Sequence, residues 1–419
     1  MFAIKFNIKF NLLTIFCAFV VYAHAQILDN ACPDRLKSDI GFLASDKLKG
    51  RGSGSKEEKK AAKYIAARFQ KLGLKPVDKD YLLPFSFKTP KNPHSTATEG
   101  TPTRTAYNVA AKLDNGAKFT VVLGAHYDHL GLGHDHNSLE ANPEGKIHNG
   151  ADDNASGTAG ILELARYFSQ NNIQEPFNII FVCFSAEELG LIGSKKFCEL
   201  PVIQPDNINF MFNLDMVGRL NEHTRSLMIY GVGTSPHWIP LIQNISNTFS
   251  IKTDSSGIGP SDHTSFYLKK IPVLFFFTGQ HSDYHKPSDD VEKINFSGEK
   301  DVLEFIIQII ELGTKQYPDK FPYLETRAPE SSGVRFKVTL GIMPDYSYDG
   351  NGLRVDGVTK DKPAAKAGIQ AGDIIIALGE NTVTNVETYM KALATFQAGN
   401  KTTVVVLRGD KKLTLPVEF

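Results

Sequence analysis

Apolar runs and polar stretches alternate along the first three quarters of the chain. Residues 179–184 (IIFVCF) are mostly β-branched or aromatic, the pattern of a strand buried on both faces. Residues 106–113, 119–125, 209–216, 227–230 and 273–277 read as further strands. Between them the spacing changes. In 56–71, Ala61, Tyr64, Ile65 and Phe69 recur at helical intervals against Ala, Lys and Glu, and Gly73 offers a stop. The wider stretch 36–74 is expected to be helical. Another helix should open at 150–157 and run to about Phe168, and a short one should cover 194–199. Strands alternating with helices predict an α/β fold: an α/β/α sandwich over a largely parallel, mixed sheet.

The polar stretches divide the chain. Residues 81–100 are polar and proline-bearing, suited to edge strands and loops, and 130–149 form a long loop of Gly, Asn and acids. Residues 321–333 (FPYLETRAPESSG) read as a linker. Beyond it short strands and Gly/Asp turns predominate, as at Asp349-Gly350 and Gly409-Asp410. The expected organisation is therefore a main domain at 26–320, a linker at 321–334 and a small β-rich domain at 335–419. Residues 1–25 have the composition of a secretory signal peptide: Lys5 and Lys9, an apolar core at 12–22, then Ala23-His24-Ala25. The expectation is export to a periplasmic or extracellular location, with no transmembrane segment in the mature chain.

Composition narrows the function classes. The chain has 419 residues, 42% hydrophobic and 22% charged, with zero formal net charge, so it has room for two or three globular domains. Loss of Lys5 and Lys9 with the leader would leave −2. No clustered basic stripe points to nucleic acid. Cys32, Cys183 and Cys198 would remain after processing, an odd count that does not make a disulfide framework.

The candidate chemistry lies at strand ends. Strand 179–184 delivers Glu187 and Glu188 side by side. Adjacent buried carboxylates push one pKa up unless a cation compensates them; the bland alternative is a helix N-terminus, where acids are also favoured. His126 and Asp128 follow strand 119–125, Asp153 opens the next helix, and Asp215 closes strand 209–216. Ligands of an open α/β sheet belong beyond the carboxyl ends of its strands. With His285 added, these are the mixed N/O donors that suit zinc. Alternate residues of a regular strand share a face, so Asp128 is expected to accept the second ring N–H of His126. His129, His134, His136 and His148 are expected to be solvated or loop-packing. Asp262-His263 is left between a structural turn and a pocket wall.

The motifs AHYDH, NGADDNASG, AEELGLIGS, NLDMVG, SDHTSF and DYHKPSD, in this order, resemble those of the M28 family of zinc aminopeptidases over roughly 36–317, and the N-terminal LASDKLKGRGSGS fits too. The resemblance implies a zinc-exopeptidase fold and two Zn2+ per chain. His126 and Asp215 would bind one ion, Glu188 and His285 the other, and Asp153 would bridge them. Glu187 would be the general base, Asp128 the partner of His126, and Tyr284 an oxyanion stabiliser. Peptides with a free N-terminus would be the substrates. A glutaminyl cyclase-like acyltransferase and a catalytically inactive peptidase-fold binding protein are the alternatives.

Residues 336–419 resemble a bacterial-type PDZ domain. The marks are Val338-Thr339-Leu340-Gly341-Ile342 and the pattern in GLRVDGVTKDKPAAKAGIQAGDIIIAL. This implies a C-terminal peptide as ligand, with its carboxylate held by Leu340, Gly341 and Ile342; the alternative is a domain that only packs.

Overall fold

The computed structural model describes residues 27–88, 101–135, 137–326, 338–344, 348, 350–358 and 362–419. The expected leader, most of the expected linker and His136 lie outside them. Nine strands form the first sheet: β1 (Lys75–Pro76), β2 (Leu82–Phe87), β3 (Arg104–Leu113), β4 (Thr120–His126), β5 (Asn178–Phe184), β6 (Ile208–Leu214), β7 (Ser226–Tyr230), β8 (Ser250–Asp254) and β9 (Val273–Phe277). Their order is β1-β3-β5-β4-β6-β9-β7-β8, with β2 paired to β3. The central four, β5-β4-β6-β9, are parallel, and antiparallel strands extend both sides.

Among the described residues, seven α-helices cover this sheet: α1 (Cys32–Leu43), α2 (Lys56–Lys71), α3 (Gly157–Gln170), α4 (Ile192–Phe197), α5 (Trp238–Asn244), α6 (His263–Tyr267) and α7 (Phe296–Gln316). Successive side chains of a strand point to opposite faces, and β5 shows the result. Ile179, Phe181 and Cys183 join the core under α1, α2, α3, α5 and α7. Ile180, Val182 and Phe184 join a second core with Phe197 of α4 and Phe266 of α6. This is the expected α/β/α sandwich. Among the described residues, Cys32, Cys183 and Cys198 are buried and free.

The stretch 36–74 is not one helix. Lys49, Gly50 and Arg51 all have positive φ, and a Cβ on Gly50 would lie 2.3 Å from the His148 carbonyl oxygen and 2.6 Å from that of Gly131. The chain therefore turns sharply at Asp46–Arg51 and restarts at α2, where the Ser55 side chain caps the N–H of Glu58. The short helix expected at 194–199 starts two residues earlier, after Leu191 in the left-handed region. The start of the expected linker is anchored. Phe321 is buried against Phe210 and Trp238, and its N–H donates to Asn209 Oδ1.

The second sheet holds β10 (Ile342–Pro344), β11 (Leu353–Val358), β12 (Ile374–Leu378), β13 (Asn381–Thr382), β14 (Lys401–Arg408) and β15 (Lys411–Glu418), with α8 (Pro363–Ala367) and α9 (Val386–Ala394). All its pairings are antiparallel and β10 is at one edge. Val404 and Val406, on the same face of β14, share a separate core with Tyr389 and Leu393 of α9. No helix among the described residues is long and apolar enough to cross a membrane.

Candidate metal centre

The strand order creates the site. β4 lies between β5 and β6, both parallel to it, so the connections leaving its C-terminal end diverge and open a crevice. His126 ends β4, Glu187 and Glu188 follow β5, and Asp215 follows β6. Asp153, before α3, and His285, after β9, complete a cavity of about 220 Å³ that Met216, Tyr230, Phe275, Phe277 and Tyr284 also line. Ala186, Met216 and His285, each next to or part of the cluster, have positive φ, a backbone strain that collects at functional sites.

The imidazoles are oriented from behind. His126 Nδ1 donates to the Asp128 carbonyl oxygen at 3.2 Å, and His285 Nδ1 to the Asn137 carbonyl oxygen at 2.8 Å. Each Nε2 then faces acids. His126 Nε2 lies 3.3 Å from Asp153 Oδ1 and 3.4 Å from Asp215 Oδ1. His285 Nε2 lies 3.3 Å from Asp153 Oδ2 and 3.1 Å from Glu188 Oε2. Asp153 thus offers one oxygen to each group.

These separations can be tested against a metal. Ligand atoms about 2.0–2.1 Å from one tetrahedral zinc stand roughly 3.3 Å from each other. The four contacts, at 3.1–3.4 Å, match that spacing. Charge gives the same answer. Among the described residues, the lining holds four carboxylates (Asp153, Glu187, Glu188 and Asp215) and neither Lys nor Arg, so two imidazoles cannot balance them even when protonated. The residues fit a cationic group. Burial and the nearby acids raise Glu187 well above the usual carboxylate range, although His126 opposes this.

One expected contact is different. The Asp128 carboxylate lies 3.7 Å from His126 Nδ1, beyond hydrogen-bond reach. β4 ends at His126, so the strand alternation behind that expectation does not extend to Asp128. The carbonyl of Asp128 holds the ring instead. Its carboxylate accepts from Ser53 Oγ at 2.7 Å and from the Glu187 N–H at 3.2 Å, which fixes the loop that carries both glutamates. Tyr284 stacks on His285 with ring centroids 3.9 Å apart. Asp152 stays out of the cluster: it accepts from the Gly218 N–H and contacts His281.

Several residues of the site lie in or beside the quoted motifs, yet the sequence assigned them no role. Arg51, fully buried, donates to the carbonyls of Leu43, Tyr127, Asn149 and Gly150, so it ties together the loops after β4 and before α3. Ser261 Oγ donates to Asp215 Oδ2 at 2.7 Å. Asp289 accepts from the Asp153 N–H, and Thr158 Oγ1 donates to the His126 carbonyl. Of the loop histidines, His134 is exposed, whereas His129 and His148 are buried. Asp262 and His263 are buried behind the cavity; burial pushes the Asp262 carboxyl up to about 7, and His263 stacks on Phe275.

Residues 108–310 match the model of peptidase family M28, and 333–419 match that of a PDZ domain. The chain carries an M28 peptidase domain. Among curated relatives of this M28 chain, leupeptin-inactivating enzyme 1 of Streptomyces exfoliatus is 31% identical over 45% of the chain and 39% of its own length. Aminopeptidase YwaD of Bacillus subtilis is 32% identical over 35% of the chain and 34% of its own. The chain therefore spans between a third and two fifths of their lengths. An aminopeptidase from Aneurinibacillus sp. strain AM-1 superposes with a TM-score of 0.53 at 20% identity, over 72% of the chain and 96% of its own. A glutaminyl cyclase of Porphyromonas gingivalis reaches 0.54 at 18%, over 69% and 100%. Both likenesses are of fold.

Proposed function

We propose that this chain is an exported di-zinc aminopeptidase that removes one residue at a time from peptides with a free N-terminus. The observation that carries the reading is the split of Asp153. One oxygen pairs with the His126–Asp215 group and the other with the His285–Glu188 group, each at the spacing of ligands to one ion. His126 and Asp215 would hold one zinc, His285 and Glu188 the other, with Asp153 between. Zinc supplies Lewis acidity, polarising a carbonyl and making water acidic.

The chain's own groups handle the proton and the substrate. Glu187 is near the cluster, 3.9 Å from His126 Nε2, and has no part in the two ligand groups. As general base it takes the proton of the attacking water and returns it to the leaving amine. Burial raises its proton affinity, in the direction that suits a carboxylate that must hold a proton between the two steps. Tyr284, which lines the cavity and stacks on His285, would donate its phenol hydrogen to the developing oxyanion. Met216, Tyr230, Phe275 and Phe277 form an apolar wall that favours an apolar N-terminal side chain, while the carboxylates receive the α-ammonium group. Leu340, Gly341 and Ile342 of the PDZ domain would hold a peptide carboxylate. Gly341 sits at φ 75° and Ile342 begins the edge strand β10.

The test compares a leucine-led tetrapeptide with its N-acetylated form and its glutamine-led analogue. Release of free leucine from the first alone supports the proposal. Equal cleavage of the acetylated peptide would point to an endopeptidase. Cyclisation of N-terminal glutamine without hydrolysis would make the chain a glutaminyl cyclase.

A further inference from the structure

The group at the second metal position contains one imidazole more than the reading above uses. His129 Nδ1 lies 2.8 Å from Glu188 Oε1, and 3.8 Å from Asp153 Oδ2. The ring is 1% exposed and stands edge-on to His285, with centroids 5.9 Å apart. Two roles are open to it: a further ligand, or a group that holds a ligand.

Distance favours the second role, though His129 Nδ1 also falls in a group with Asp153 and Glu188 whose donor atoms lie within 4.8 Å of one another. Two atoms bound to one tetrahedral zinc stand roughly 3.3 Å apart, as His285 Nε2 does from both Asp153 and Glu188 within 0.2 Å. A separation of 2.8 Å is too short for that and is ordinary for a charge-assisted N–H···O bond. Glu188 therefore uses its oxygens differently: Oε2 faces His285, and Oε1 accepts from His129. Such a bond prevents the carboxylate from rotating both oxygens onto one ion.

The backbone is built around this ring. Gly150 sits at φ 56°, and a Cβ on it would lie 2.3 Å from the Asp153 carbonyl oxygen and 2.5 Å from both Cγ and Cδ2 of His129, so a side chain there would meet the ring as well as the backbone. The His129 N–H donates to the Arg51 carbonyl, and the Arg51 guanidinium binds the carbonyl of that same Gly150. The ring is clamped from both sides.

We propose that His129 is a positioning residue for the second metal position, donating Nδ1–H to Glu188 so that this carboxylate presents a single oxygen to zinc. The inference rests on the two-metal reading. Its test is metal affinity, measured on the full chain by titration against a competing chelator. Wild type should bind two zinc ions; uptake of one would sink the two-metal reading itself. In His129→Ala one ion should bind 10–100-fold more weakly, the usual cost of losing a partner of this kind, while the other keeps its affinity. Asparagine can place an N–H where Nδ1 was, so His129→Asn should stay within about threefold of wild type, against the tenfold or more expected for alanine.

Two results would overturn the proposal. Wild-type affinity for both ions in His129→Ala would show the contact to be idle. A His129→Asn protein as weak as the alanine variant, with a changed cobalt(II) absorption spectrum, would make His129 a ligand.

Discussion

At the residue scale, neighbouring acids have different duties because they face different partners. Glu188 faces His285 at 3.1 Å, whereas Glu187 has only a distant imidazole at 3.9 Å. Glu187→Gln should therefore lower kcat by about 10²-fold or more, as loss of a general base does, with zinc content unchanged. Glu188→Ala should lose metal. An emptied site in Glu187→Gln, measured by metal analysis of the purified protein, would reverse the assignment. Glu58 offers a second test. It is buried under the same loop, accepts from the Ser185 hydroxyl and the Gly54 N–H, and burial raises it to about 8. The sign follows from linkage: the unfolded chain ionises near the usual carboxylate value of about 4.3 while the folded one stays protonated, so stability falls from there up to about pH 8. Glutamine keeps the shape without the titration. The Tm of Glu58→Gln relative to wild type should rise between pH 5 and pH 8; a difference independent of pH would mean that Glu58 is ionised in the fold.

At the element scale, the turn between α1 and α2 matters more than either helix. Its positive-φ residues aim Arg51 inward, where the guanidinium satisfies four carbonyls, one from the end of α1 and three from two loops. Removing one partner of a buried charged network costs about 3–5 kcal/mol. Arg51→Met should accordingly lower chemical-denaturation stability by that order and weaken zinc binding as well, because the loops before α3 and after β4 carry Asp153 and His126. A variant with full stability would show that water replaces the guanidinium. None of this was legible in the stretch LKGRGSGS. An arginine among glycines and lysines defaults to the surface, and only the turn takes it inside.

At the scale of the whole molecule, the two sheets have separate cores, yet Ile342 of β10 lines the cavity that holds the metal-binding candidates. Under the proposed function, the PDZ edge strand borders the substrate's path. Ile342→Asp should raise KM for a pentapeptide several-fold more than for a leucyl anilide, because a longer chain runs past β10 and adds to its edge. Equal effects on both substrates would place Ile342 in the pocket for the N-terminal residue instead. The sequence by itself determined the α/β class, the order of the strands along the chain and the strand ends that carry His126, Glu187, Glu188 and Asp215. These depend on local period and on where apolar runs stop. Only the tertiary structure decided the rest. The placing of β4 between β5 and β6 brings those ends together. Gly150 yields its side-chain space to His129, and the carbonyl rather than the carboxylate of Asp128 holds His126. Each is a contact between residues distant in sequence or a matter of side-chain direction, and both are set by packing rather than by residue type.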